Sequence, residues 1–332
     1  MSDRVSRLGR AAIALVGIVV AAGVGWILFV RLPTDIADLL GVLLVIALAI
    51  VGARLAGRLA GSVFPTYNVA EVAVTGPITR SGRGPLPTSP VGMPADRIVE
   101  QIEAADDDNN AKALLLRLNT PGGEVVPSDD IRRAAVEFDG PTIAYATDLC
   151  ASGGYWIASG CDELWARDAS LVGSIGVRSA LFNATDLAEK LGIDYEGFSQ
   201  GKFKDAGTPL KEMTDDDREY FQGLSEGFYN HFVETVADGF DLDEDQVRET
   251  EARVYLGEEA ADIGLVDAIG AKDDVEEALE ETLGEPVDIE EFQPRLGLAD
   301  RLRGGAQSMA RSFGEGVATA VVGDDDRPID LR

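Results

Sequence analysis

The chain has 332 residues, 58 of them acidic, 29 basic and one histidine, for a formal net charge of −29. That length holds one large domain or two small ones with an ample core, and that charge excludes nucleic acid as a general partner. Only six of the 29 basic residues are lysine. An acid-rich, lysine-poor surface suits high salt, where charge repulsion is screened, so a halophilic host is expected.

Arg4, Arg7 and Arg10 precede an uncharged run from Ala11 to Val30, long enough to span a bilayer as a helix. Arg31-Leu32-Pro33-Thr34-Asp35 follows without a small-residue cleavage site, which predicts an uncleaved anchor. A second apolar run, Ile36 to Ala53, is interrupted only by Asp38. The two runs predict a transmembrane helical hairpin over about 11–30 and 36–53, within an anchor region 1–65. Arg54 and Arg58 come next, and by the positive-inside rule both hairpin ends face the cytoplasm.

Val69-Ala70-Glu71-Val72-Ala73-Val74 alternates as a strand. Residues 76–94, rich in Gly, Pro and Ser, read as a loop. Ala95 to Ala105 has helical spacing, with Ile98 and Ile102 four apart. Leu114-Leu115-Leu116-Arg117-Leu118 reads as a buried strand ending in Asn119-Thr120-Pro121-Gly122-Gly123, and a helix is predicted from about Ser128 to Phe138. Pro141 to Ala146 is a further buried strand, Tyr155 to Ala158 helical, Glu163 to Ala166 a short strand, and Leu171 to Val177 a turn-and-strand unit. Thr214-Asp215-Asp216-Asp217 opens a long helix to about Gly239. Shorter helices are predicted at Asp243–Glu249, Gly257–Ile263 and Asp273–Leu283. Strands alternating with helices predict an α/β fold with a largely parallel sheet. The domain limits read as 66–284, with a tail over 285–332 in which Leu296 to Val322 is either amphipathic or loosely ordered and the end is disordered.

Three stretches carry chemistry. In Asp148-Leu149-Cys150-Ala151-Ser152-Gly153-Gly154-Tyr155-Trp156 a serine and two glycines sit at a strand-to-helix junction. Such a serine suits a nucleophile, with backbone N–H groups free for a developing oxyanion. By itself the stretch reads more readily as a Ser N-cap with a Gly-rich first turn. The Pro121-Gly122-Gly123 turn supplies a second Gly-rich loop, and Gly201-Lys202-Phe203-Lys204-Asp205 brings two of the six lysines. Lys202 and Lys204 are two apart, so on an extended segment only one faces Ser152. His231, the one histidine, sits in a helical run with no site motif, so a packing role is favoured over a catalytic one. The two cysteines, Cys150 and Cys161, read as buried fillers. If both lay on the helix near Ser152 they would stand roughly 16 Å apart, too far for a disulfide. Cys150 as a thiol nucleophile ranks low, and no metal site is read.

Together with Gly173-Ser174-Ile175-Gly176-Val177 and Glu212-Met213-Thr214, these stretches resemble the signal peptide peptidases of the SppA type, over roughly Val69 to Leu283 and in a haloarchaeal-type member. The resemblance implies a ClpP/crotonase-like spiral with a parallel sheet and flanking helices, here preceded by the hairpin. It implies a Ser–Lys dyad of Ser152 and Lys204, an oxyanion hole from the N–H groups of Gly123 and Gly153, Ser174 orienting the lysine, and no cofactor. The strand expected after the Pro-Gly-Gly turn would hold an extended peptide. Implied partners are peptides, signal peptides above all, with membrane lipid, and a homo-oligomer in which neighbours share the dyad. The family's catalytic domain usually faces outward, against the arginines here. Alternatives are a membrane-bound ClpP-class protease with a specific membrane-protein substrate, a non-catalytic ring-forming membrane scaffold, and a crotonase-type acyl-CoA enzyme.

Overall fold

In the computed structural model, residues 2–27, 37–63, 66–81 and 92–293 are described. Two helices, α1 (Ser2–Trp26) and α2 (Ala37–Val63), pack on each other. Small residues bring them close: a Cβ on Gly17 would strike Ala56, and one on Gly52 would strike Ala21.

The transmembrane hairpin is not borne out. Among the described residues no helix is long and apolar enough to cross a membrane. The helix α1 (Ser2–Trp26) takes in Asp3, Arg4, Arg7 and Arg10 together with the uncharged residues from Ala11. The charged Arg54 lies within α2. Membrane anchoring, the lipid partner, the multi-pass localisation and the question of which side the domain faces are withdrawn with it. Residues 294–332, and with them the amphipathic or disordered tail, lie outside the described residues.

The α/β part opens with β1 (Val69–Thr75), α3 (Ala95–Asp106), β2 (Ala113–Thr120), α4 (Val125–Val136), β3 (Thr142–Ala151) and the short helix α5 (Gly153–Ala158). Next come β4 (Glu163–Ala166), β5 (Leu171–Gly173), α6 (Thr185–Lys190), the long α7 (Asp215–Phe240) and α8 (Glu244–Glu249). The sequence closes with β6 (Val254–Leu256), α9 (Gly257–Asp262), β7 (Ala268–Ile269), α10 (Lys272–Leu283) and β8 (Ile289–Glu291). The sheet runs β6-β5-β3-β2-β1-β8. Every pairing is parallel except β5 with β6, so the sheet is mixed and flanked by helices.

The strand β3 forks. Its first half, Ile143 to Ala146, pairs with β4, which continues to β7; its last three residues pair with β5. Between Leu118 and Thr120 the register with β3 shifts, so that Leu118 faces Ala146 but Thr120 faces Cys150. The extra β3 residues bulge there, and Asn119 Nδ2 donates to Asp148 Oδ2 at 2.7 Å across the gap. The fork and the bulge carry the end of β3 away from β4 and deliver Ser152 to the rim of the sheet.

The larger core lies on the sheet face of Val72, Leu116 and Leu118, closed by Ile98 and Ile102 of α3, Ile131 of α4 and Val233 of α7. A smaller core on the other face sets Val69, Leu115 and Ile143 against Val275 and Leu279 of α10. The acidic cap of α7 is as predicted: Thr214 Oγ1 accepts from the Asp217 N–H, and Asp217 returns the bond to the Thr214 N–H. The helix α4 starts at Val125, three residues earlier than predicted, so no strand follows the Pro-Gly-Gly turn to hold a peptide. Only Gly123 bridges there, to Ile78.

Candidate active site

A cavity of about 520 Å³ opens where β3, the Pro-Gly-Gly turn and α7 meet. Ser152, Gly123, Gly153 and Ser174 all line it. Val125, Trp156, Val177, Phe228 and Phe232 give it an apolar wall.

Ser152 has φ 53° and ψ −118°, a conformation that L residues rarely adopt. Its N–H donates to the Gly173 carbonyl at 2.9 Å, and its own carbonyl accepts from the Trp156 N–H at 3.0 Å, so the turn is held from both sides. The side chain makes no capping hydrogen bond to α5. A serine kept as an N-cap has extended dihedrals and a bonded hydroxyl; this one has neither, and strain of this kind collects at functional sites.

The two Gly-rich loops abut. Gly122 has φ +83°, and a Cβ there would strike the Gly153 nitrogen. A Cβ on Gly153 would come within 3.1 Å of the Gly123 nitrogen and 2.5 Å of Ser128 Oγ. Among the described residues neither the Gly123 nor the Gly153 N–H has a backbone partner outside regular structure. Thr120, fully buried, holds the turn: its Oγ1 donates to the Gly76 carbonyl at 2.7 Å and accepts from the Gly122 N–H at 3.0 Å. Buried Ser128 donates to the Glu124 carbonyl at 2.8 Å and backs Gly153. Sequence reasoning missed Thr120 and Ser128, whose value lies in contacts across loops that no motif records.

Ser174 is half-buried with φ 54°, and its N–H donates to the Arg253 carbonyl at 2.7 Å. Lys204 is not brought into this cavity; it is exposed, on the 201–207 turn. Its neighbours are committed elsewhere. Lys202 pairs with Asp216 at 2.6 Å and stands over the Phe203 ring, and Lys211 pairs with Asp205 at 3.0 Å. Among the described residues Lys204 has no ion pair.

The other candidates recede. Cys150 lies one residue before the end of β3, fully buried, and burial pushes its thiol far above the ordinary range. Cys161 lies beyond the C-terminus of α5, and burial pushes it up to about 12. Thiols held protonated are poor nucleophiles. The two are not on one helix as supposed, but they are buried fillers as read. His231 is exposed and sets its edge on Trp156, with ring centroids 5.2 Å apart.

Comparison with known proteins fits this geometry. The model of peptidase family S49 matches residues 135–285. A putative protease of Synechocystis is 30% identical over 255 residues, covering 74% of this chain and 87% of that protein. The chain belongs to peptidase family S49. A putative protease of Methanocaldococcus jannaschii is 35% identical over 55% of this chain and 60% of its own length. A putative signal peptide peptidase of Enterococcus faecium is 30% identical over 64% of this chain and 62% of its own. The chain thus spans about three fifths of the length of these last two. Membership of family S49 and the protease names of the relatives support serine endopeptidase activity.

Proposed function

We propose that the 66–284 domain is a serine endopeptidase that uses Ser152 as nucleophile and Lys204 as base on short apolar peptides, cleaved signal peptides among them. The observation that carries this reading is Ser152 itself, strained and uncapped at the cavity, beside two N–H groups that have no backbone partner outside regular structure among the described residues. Ser152 Oγ attacks the scissile carbonyl while its proton passes to Lys204 Nζ. The Gly123 and Gly153 N–H groups donate to the oxyanion, a contribution worth on the order of 10²–10³ in rate per donor. Lys204 then protonates the leaving amine, and water repeats the cycle on the acyl-enzyme. Ser174, at the cavity edge, orients the lysine. The helix α5 is too short to lend much dipole, so the oxyanion rests on those two donors.

A lysine acts as a base near neutral pH only when desolvated. Exposed Lys204 therefore requires a surface to close over it before catalysis. The apolar wall favours apolar side chains next to the scissile bond, and the printed name of the Enterococcus relative supports signal peptides as a substrate class. The acid excess and lysine scarcity support a haloarchaeal-type member working in concentrated salt.

The test is turnover of a fluorogenic apolar peptide in high salt. Ser152→Ala and Lys204→Ala are expected to lose at least about 10³-fold in kcat/KM, and Lys202→Ala to keep activity within about threefold. Equal activity in all three variants would sink the dyad. Mixing the two inactive variants tells where the lysine comes from: recovery means a second copy, none means the chain's own loop.

A further inference from the structure

The catalytic cavity carries one charge. Arg178 lines it, and no Asp or Glu does, in a chain with twice as many acidic as basic residues. Several other arginines are occupied: Arg133 pairs with Asp129 at 2.7 Å, Arg248 with Glu244 at 3.0 Å, and Arg253 with Glu251. Among the described residues Arg178 has no ion pair and no side-chain hydrogen bond. Arg167 is likewise without an ion pair or side-chain hydrogen bond among the described residues; what sets Arg178 apart is that its guanidinium is open at the cavity lined by Ser152, Gly123 and Gly153.

Its distance from the chemistry is bounded. Ser152 is tied to Gly173 by a hydrogen bond of 2.9 Å, so Ser174 begins at the nucleophile. Arg178 is four residues further on, at most about 14 Å along the chain. That is the reach of about four residues of an extended peptide. The intervening Gly176 and Val177 also line the cavity, and among the described residues no backbone hydrogen bond outside regular structure engages the N–H groups of Gly176, Val177 or Arg178.

We infer, resting on the peptidase reading above, that Arg178 is a specificity residue that receives a substrate carboxylate within about four residues of the scissile bond. A guanidinium takes a carboxylate through two parallel N–H···O bonds. High salt screens long-range attraction but not that direct contact. The carboxylate has two possible sources, the C-terminus of a short peptide or an Asp or Glu side chain. The first makes the enzyme one that trims peptides already released; the second makes it one that cuts near acidic residues.

The experiment uses the full chain in high salt and one apolar fluorogenic peptide in four forms. Two end within four residues of the cleavage point, as free acid or as amide. Two are amidated and carry Glu or Gln at that same place. In the wild type a carboxylate form is expected to exceed its neutral partner about tenfold in kcat/KM. That ratio falls to about one in Arg178→Gln and stays above one in Arg178→Lys. Preference confined to the free acid identifies the terminal carboxylate, and preference in the Glu/Gln pair identifies the side chain. A ratio near one in the wild type, or one unchanged in Arg178→Gln, overturns the assignment. Binding of the same peptides to Ser152→Ala, read by fluorescence anisotropy, separates the two readings. Carboxylate-selective binding without wild-type turnover sinks the peptidase and keeps Arg178; turnover without selectivity does the reverse.

Discussion

At the scale of single residues, Ser152 stores strain where the chemistry would occur. A non-glycine residue at its φ of 53° costs about 1–3 kcal/mol, held down by the β3–β5 pairing and the first turn of α5. Ser152→Ala and Ser152→Gly both remove the hydroxyl, but only glycine relaxes the backbone. Ser152→Gly is therefore expected to be more stable than Ser152→Ala by about 1 kcal/mol, with both inactive. Denaturant titration of the two in high salt reads the difference, and equal midpoints would mean the turn is unstrained. The sequence made Ser152, Gly123 and Gly153 legible because a serine among glycines at a strand end is a local pattern. It left Thr120 and Ser128 silent, because one buttresses a turn and the other backs a glycine 25 residues away.

At the scale of elements, β1 shows how far alternation carries. The pattern correctly puts Val72 and Val74 toward the large core and Val69 toward the small one. Glu71 shares the face of Val69 and is only 4% exposed, which no hydropathy pattern allows. Arg117 Nε and Lys272 Nζ each approach it at 2.5 Å, so the ion triad ties β1, β2 and the first turn of α10. Burial acts to raise the Glu71 pKa, but hydrogen bonds and charge from Lys272 and Arg117 outweigh it and hold the carboxyl below its ordinary value. A depressed folded-state value means that the stabilisation is complete above the ordinary carboxylate range and is lost as pH falls through the folded value. Glu71→Gln is expected to cost about 2 kcal/mol at neutral pH, since it removes the charge that Lys272 meets and leaves Arg117 with Glu291 at 3.5 Å. The gap from wild type should narrow in acid below the ordinary glutamate value; a gap that stays constant in urea titrations across that range would show the charge to be irrelevant. Lys272 and Arg117 are 155 positions apart in the chain, and only the fold brings both to Glu71.

At the scale of the whole molecule, the net charge of −29 makes self-repulsion a property of the entire surface. Acids crowd the first turns of α7 and α10, which carry Asp215, Asp216, Asp217, Asp273 and Asp274. At about 1 M salt the Debye length falls to about 3 Å, shorter than most spacings between surface charges. The melting temperature should therefore climb by at least about 10 °C between low salt and 2 M KCl, as repulsion is removed. A flat thermal profile would reduce the composition to ordinary acidity.

The amino-acid sequence alone determined the α/β alternation, the cap of α7, the three Gly- and Lys-bearing loops and the acidic, lysine-poor composition, because each is written in neighbours a few positions apart or in simple counts. Tertiary structure decided what depends on distant parts meeting. It brought Gly123 to Gly153, forked β3 so that Ser152 reaches a cavity walled by α7, and left Arg178 there without a counter-ion among the described residues. It also left Lys204 outside that cavity, and among the described residues it formed no helix long and apolar enough to cross a membrane. Apolar length and lysine spacing are properties of the chain, whereas where a helix stops and which loop closes on which depend on packing free energy summed over the whole molecule.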